Sequence, residues 1–186
     1  ILNNFKPKKI LMFEPQEEIF NFLKKKYNDN KDIYLFNKAL SNENKPARFN
    51  FNKHNLTSSL SSLDPENSYL KLKAKLFGTT SKGMIIDTKT IETTTLFSIL
   101  EKENIEDIDF LKIDTEGHEL EVLQGMKEKI NKVKHILVEF HIDEIYISYN
   151  PELLHQFLIS NNFELIKKFK FPFTTWEDRL YVNKSI

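Results

Sequence analysis

The sequence predicts a doubly wound, Rossmann-like α/β fold, mostly parallel, closed at its C-terminus by an antiparallel strand pair. Three observations predict it. Short apolar runs alternate with amphipathic helical stretches, most clearly from Asp109 to Phe140. Acidic and polar residues gather just past the ends of the predicted strands. The last two strand-like stretches are joined by a loop with no helical pattern, which suits antiparallel pairing.

Lys9 to Phe13 (KILMF) is a short apolar run bounded by polar residues and reads as a buried strand. Glu14 and Pro15 end it, and Pro15 fits the first turn of a helix that places Ile19, Phe20, Leu23 and Tyr27 on one face. Ile33 to Phe36 is a second strand, and Arg48 to Phe51 alternates like an edge strand. Residues 52–82 are rich in Ser and Asn, have weak periodicity and read as a long loop of the functional or mobile kind. Met84 to Ile91 reads as a strand and Leu96 to Leu100 as the start of a short helix. Asp109 to Ile113 (DFLKI) is a strand, followed by a tight Asp114-Thr115-Glu116-Gly117 junction and a helix burying Leu120, Leu123, Met126 and Ile130. His135 to Phe140 completes a βαβ unit, which is right-handed by chirality. Pro151 to Ser160 is a helix, and Phe163 to Phe169 with Arg179 to Val182 forms the closing pair.

Composition narrows the partners. The 186 residues suit one domain spanning 1–186, with 40% hydrophobic and 29% charged residues. Lys plus Arg and Asp plus Glu balance at 27 each, so no net field draws nucleic acid or an anionic membrane. The runs Lys24-Lys25-Lys26 and Lys167-Lys168 read as solvated faces. The absence of cysteine excludes disulfides, thiolate zinc sites and a cysteine nucleophile. No apolar run reaches the roughly 18 residues of a membrane span, and no signal peptide is visible, so the expected location is the cytoplasm.

In open α/β sheets, ligands bind beyond the carboxyl ends of the strands. The residues at those ends here are Glu14, Asn37 to Leu40, Asp114 to Glu116, and Glu139 to His141. Glu14 can accept both hydrogen bonds of a ribose diol, or simply favour a helix N-terminus. Asp114, Glu116, His118 and Glu119 make a dense ionisable junction that exceeds what helix capping needs. Glu139 and His141, two apart, share one strand face and offer a general base near neutral pH. With Asp114 they could also hold a divalent cation, although the sequence assigns no metal ligand set. His54, His118, His135 and His155 lack ligand spacing, and Trp176 with Phe171 and Phe173 anchors a loop or lines a pocket.

DFLKIDTEGHELEVLQG, followed by HILVEFH, resembles the FkbM methyltransferase family. KKILMFEP, IYLFNKALSNE, TSSL and KTIETTTLFSIL resemble its other segments in order, covering most of residues 9–183. The resemblance implies a class I methyltransferase sheet and S-adenosylmethionine as cofactor. Glu14, with Pro15 beside it, would bind the ribose, and Lys38, Ala39 and Leu40 would border the adenine. Ser59 or Ser58 would lie on the cofactor or acceptor side. Asp114 would serve both cofactor and catalysis, with Glu116 and His141 as further catalytic groups. The implied reaction is methylation of a hydroxyl on a sugar, glycan or small natural product, with a small-molecule or carbohydrate acceptor.

Two departures stand out. Phe97 occupies a position where the family usually has an acidic residue. The family's glycine-rich first segment is absent, and Ile1 to Lys6 looks like the end of the helix that follows it, so at least about 30 further residues, one strand and helix, are expected before Ile1. Competing readings are a nicotinamide-dependent oxidoreductase, which would use Glu14 equally well, a non-catalytic binding module, and a metal-dependent hydrolase built on Asp114, Glu119, Glu139 and His141.

Overall fold

The computed structural model describes residues 6–52, 57–170, 172 and 174–186. His54, Phe171, Phe173 and all of the Ile1 to Lys6 stretch but Lys6 lie outside the described residues. The chain runs β1 (Ile10–Phe13), α1 (Glu17–Lys26), β2 (Ile33–Phe36), β3 (Ala39–Leu40), β4 (Pro46–Asn52), α2 (Ser68–Leu76), β5 (Ile85–Thr94), α3 (Leu96–Lys102), β6 (Ile108–Ile113), α4 (Glu119–Gln124), β7 (Val133–His141), α5 (Pro151–Ser160), β8 (Phe163–Lys170) and β9 (Trp176–Asn183).

Local chemistry accounts for these boundaries. In α1, Glu17 and Glu18 occupy the first turn and Lys24, Lys25 and Lys26 the last, each favourable to the helix dipole. Pro15 precedes the N-cap Gln16 and is not in the first turn as predicted. Helix α2 falls inside the stretch read as a loop. It buries only Leu70 and Ala74, too few apolar residues for a clear helical period, and it starts where Asn67 accepts the amide of Leu70 at 3.0 Å. The helix predicted through Ile130 is broken: α4 ends at Gln124, and a 3₁₀ turn at Lys127–Lys132 carries Ile130 inward, with Lys127 at φ 51.

The fold is mixed α/β, but its strands do not form the single, mostly parallel sheet expected. They divide into β1–β2, β3–β5–β4 and β6–β7–β9–β8. The pairs β1–β2, β3–β5 and β6–β7 are parallel, and β4–β5, β7–β9 and β8–β9 are antiparallel. The physical reason is the unpaired edges: among the described residues β1 pairs with β2 alone and β6 with β7 alone, so no hydrogen-bond ladder joins their sheets. Side-chain packing and an ion pair do join them. Leu11 and Phe13 pack on the core cluster containing Ile113, Val138 and Phe140, and Lys9 Nζ meets Glu103 at 2.8 Å. The closing pair is present, with β9 inserted between β7 and β8. A smaller apolar cluster around Leu63, Leu70, Met84 and Tyr146 fixes the region of α2.

Candidate functional site

Glu14, Pro15, Lys38, Ala39, Leu40, Ser59 and Asp114 all line one groove. Parallel pairing produces this convergence, because Phe13 is opposite Phe36 in register and Glu14 and Asn37 therefore emerge side by side. Asn37 Nδ2 fastens the two strand ends by donating to the carbonyl of Glu14 at 2.8 Å. The Glu14 carboxylate accepts the amide of Gln16 at 2.7 Å. Burial pushes its pKa above the usual carboxylate range, and the bonds from Gln16 only partly offset this. Phe13, Ile19, Leu40, Phe49 and Leu60 give the groove apolar walls. Its volume is about 160 Å³, below the roughly 300 Å³ of ordinary small-molecule pockets.

The β6 junction is locked in place from three directions. Ser59 Oγ donates to the carbonyls of Thr115 at 2.9 Å and Glu116 at 2.8 Å, and accepts the amide of Ser61 at 2.9 Å. The Ser59 hydroxyl is therefore spent on shaping the turn, although the residue lines the groove. Ser61 Oγ donates to the carbonyl of Gly117 at 2.7 Å. Glu119 is fully buried, and its Oε1 accepts the amides of Thr115 at 2.9 Å and Gly117 at 3.1 Å. Thr115 and Asp114 do not cap α4, whose N-cap is His118. Glu116 adopts φ 57 and Gly117 φ 89, both in the left-handed region.

Behind the junction lies the acidic cluster. Glu116, Glu139 and His141 each offer a ligand atom, and these atoms lie within 4.8 Å of one another. His141 Nε2 is 3.2 Å from Glu139 Oε2, an ion-pair distance, but neither atom has a hydrogen-bond partner of acceptable geometry. The Tyr146 hydroxyl donates to Glu116, and the Tyr149 hydroxyl accepts the amide of His141 at 3.1 Å. Burial, reinforced by Glu139, pushes Glu116 up to about 7, against the opposing effects of Tyr146 and His141. Burial pulls His141 down, but Glu139, Glu119 and Glu116 outweigh it and hold the imidazole above its ordinary value. Asp114 is half-exposed, pairs with Lys112 at 2.8 Å, and lies close enough to Glu139 to help push that carboxyl up.

A second, larger cleft of about 840 Å³ adjoins this cluster, lined by Tyr146, Tyr149, Asn150, Lys168, Glu177 and Arg179 among others. Tyr146 lines this cleft and Glu116 lines the groove, so their hydrogen bond forms the partition between the two spaces. Sequence reasoning did not single out Tyr146, Tyr149 or the role of Glu119. Tyr146 follows a short loop, and only its packing on Gly117 and His141 reveals it. His118 lines the groove, with its Nε2 2.9 Å from Ser41 Oγ. His135 and His155 bind a backbone carbonyl and the Tyr181 hydroxyl respectively, away from the cluster. Phe97 carries Lys127 Nζ over its ring, 4.8 Å from the centre.

Residues 3–165 match the family model described as the Methyltransferase FkbM domain. The structure is similar to the crystal structure of Methyltransferase FkbM from Methylobacillus flagellatus KT, with a TM-score of 0.53 and 15% identity over 94% of this chain. This chain spans 36% of the length of that neighbour. No curated protein matches the chain.

Proposed function

Since the chain belongs to the FkbM methyltransferase family, we propose that it is the greater part of a class I, Rossmann-like S-adenosylmethionine-dependent O-methyltransferase domain. The observation that carries this reading is the single groove lined by Glu14, Pro15, Lys38, Ala39, Leu40, Ser59 and Asp114, drawn from four separate segments of sequence. The groove suits a nucleoside. Glu14 supplies the acceptor-only carboxylate that a ribose diol needs, and the apolar walls around Ala39 and Leu40 suit an adenine ring. S-adenosylmethionine supplies an electrophilic methyl group on a sulfonium.

The protein's share of the work is positioning and proton removal. The larger cleft takes the acceptor. Its mixture of tyrosines, amide and charged groups suits a hydroxylated small molecule or carbohydrate. Glu116, on the partition between the two spaces, carries a carboxyl poised near neutral pH and so can draw a proton from an acceptor hydroxyl. Asp114 faces the cofactor side, and His141 steadies the negative charge of Glu116. Among the described residues β1 and β6 each keep an unpaired edge beside the groove, where one more strand would complete the cofactor site. Among the described residues no helix is long and apolar enough to cross a membrane, and the reading places the enzyme in the cytoplasm.

Calorimetry on the whole protein tests the reading. S-adenosylhomocysteine is expected to bind, and NAD is not. Glu14→Ala removes hydrogen bonds to a charged acceptor worth about 1.5–3 kcal/mol each, a loss of tenfold or more in affinity. Asp114→Asn is expected to weaken binding or turnover. Binding of NAD alone, or wild-type behaviour in both variants, overturns the assignment.

A further inference from the structure

We propose that Glu116, Glu139 and His141 form a binding site for a divalent first-row transition-metal ion. The two carboxylates and the imidazole come from the β6 junction and the end of β7, and their ligand atoms lie within 4.8 Å of one another. This spacing lets one ion touch all three.

A second observation points to a ligand. Glu139 is 7% exposed and His141 5%, and Glu139 Oε2 and His141 Nε2 face each other at 3.2 Å, an ion-pair distance, without hydrogen-bond geometry to any group. A third orphan, Oε2 of the fully buried Glu119, acts electrostatically on the same imidazole. Among the described residues no lysine or arginine forms an ion pair with Glu116, Glu119 or Glu139. Buried polar atoms without hydrogen-bond partners are costly, and carboxyls that burial pushes up regain their charged form beside a cation. A divalent cation would satisfy them.

The donor set selects the kind of ion. One imidazole with two carboxylates suits manganese, iron, cobalt or zinc better than magnesium or calcium, which favour all-oxygen sites. Three protein ligands leave coordination positions open to water or an acceptor hydroxyl. The surroundings have the form of an outer shell that orients ligands: the Tyr146 hydroxyl holds Glu116, and Tyr146 and Tyr149 set their rings edge-on to His141, with centroids 4.9 and 5.5 Å away. With Glu116, Glu139 and His141 as its ligands, an ion there would lower the pKa of an acceptor hydroxyl bound to it, whose proton would pass to water. That consequence rests on the methyl-transfer reading, but metal binding does not.

The test is titration of the whole, chelator-treated protein with MnCl2, reading free Mn2+ by electron paramagnetic resonance, and with CoCl2, reading visible absorption. One saturable site per chain is expected, with a Co2+ spectrum that His141→Gln alters. Glu139→Gln and His141→Gln are expected to weaken Mn2+ binding at least tenfold while circular dichroism stays native. If either variant misfolds, Glu116→Gln, at a partly exposed position, carries the same expectation. Absence of saturable Mn2+ and Co2+ binding to the folded wild type, or wild-type affinity in the variants, overturns the proposal. Calorimetry with S-adenosylhomocysteine on metal-free protein separates the two ideas. Cofactor binding without metal binding sinks this inference alone, and metal binding without cofactor binding sinks the methyltransferase reading alone.

Discussion

Replacing Gly117 with alanine perturbs the candidate site at its tightest point. Gly117 has φ +89, and a Cβ built there would lie 2.5 Å from the ring of Tyr146, itself 4% exposed. Two costs follow. A residue with a Cβ in the left-handed region costs about 1–2 kcal/mol. Displacing a packed aromatic ring costs about 1–3 kcal/mol more, as overpacking does elsewhere. Gly78 separates the two terms, because it has φ +65 and nothing within 4 Å of its built Cβ. Gly78→Ala should therefore lose only the backbone term. For a chain of this size each kcal/mol moves the melting midpoint by about 2–4 °C, so Gly117→Ala should melt about 2–12 °C below Gly78→Ala. Thermal denaturation of both variants, followed by circular dichroism, measures the difference. Indistinguishable midpoints would show that Tyr146 does not press on the junction, and the argument that it positions Glu116 would fail with it.

Further expectations concern buried polar groups. Ser59→Ala strips the carbonyls of Thr115 and Glu116 of a shared donor and should cost about 1–3 kcal/mol in denaturant unfolding. Glu119→Gln keeps an acceptor for Thr115 and Gly117 and removes a buried charge with one orphaned oxygen, so its stability should stay within about 1 kcal/mol of wild type, whereas Glu119→Ala should lose about 3 kcal/mol by cavity and lost bonds. Glu177 gives a pH dependence. Burial pushes its carboxyl up, but Arg179 at 2.7 Å, with Lys168 and Lys170, holds it below the usual range. Its stabilisation is present above the unfolded carboxyl value and is lost as pH falls through the lower folded value, so the melting midpoint should drop in acid more steeply for wild type than for Glu177→Gln.

Much of this was legible in the sequence because its signals were local. The apolar runs at β1, β2 and β6 are short and sharply bounded, so Glu14, Asn37 and Asp114 could be placed at strand ends, where the structure has them, Glu14 and Asp114 lining the groove. Helix α5 has the predicted bounds, Pro151–Ser160, with the Asn150 side chain capping it and Pro151 in its first turn. What was not legible depends on long-range contact. Helix α2 exposes Leu72 and Leu76, so its pattern is blurred. The break at Lys127 is a backbone conformation that lysine rarely takes. Glu116 joins Glu139 and His141 because it adopts φ 57 and is held by Tyr146, which strand alternation cannot anticipate.

The Ser59 hydroxyl has a consequence for how the chain acquires its shape. It joins residues 56 and 57 positions away, and Ser61 reaches across another 56. The βαβ core from β6 to β7 can assemble from neighbouring sequence, but the acidic turn at its rim waits for a distant loop to arrive and close over it. Such non-local closure is slow relative to local pairing. The rim should therefore be the last part of this region to become ordered during refolding and the first to open in hydrogen exchange, so that competence to bind lags behind the formation of the core.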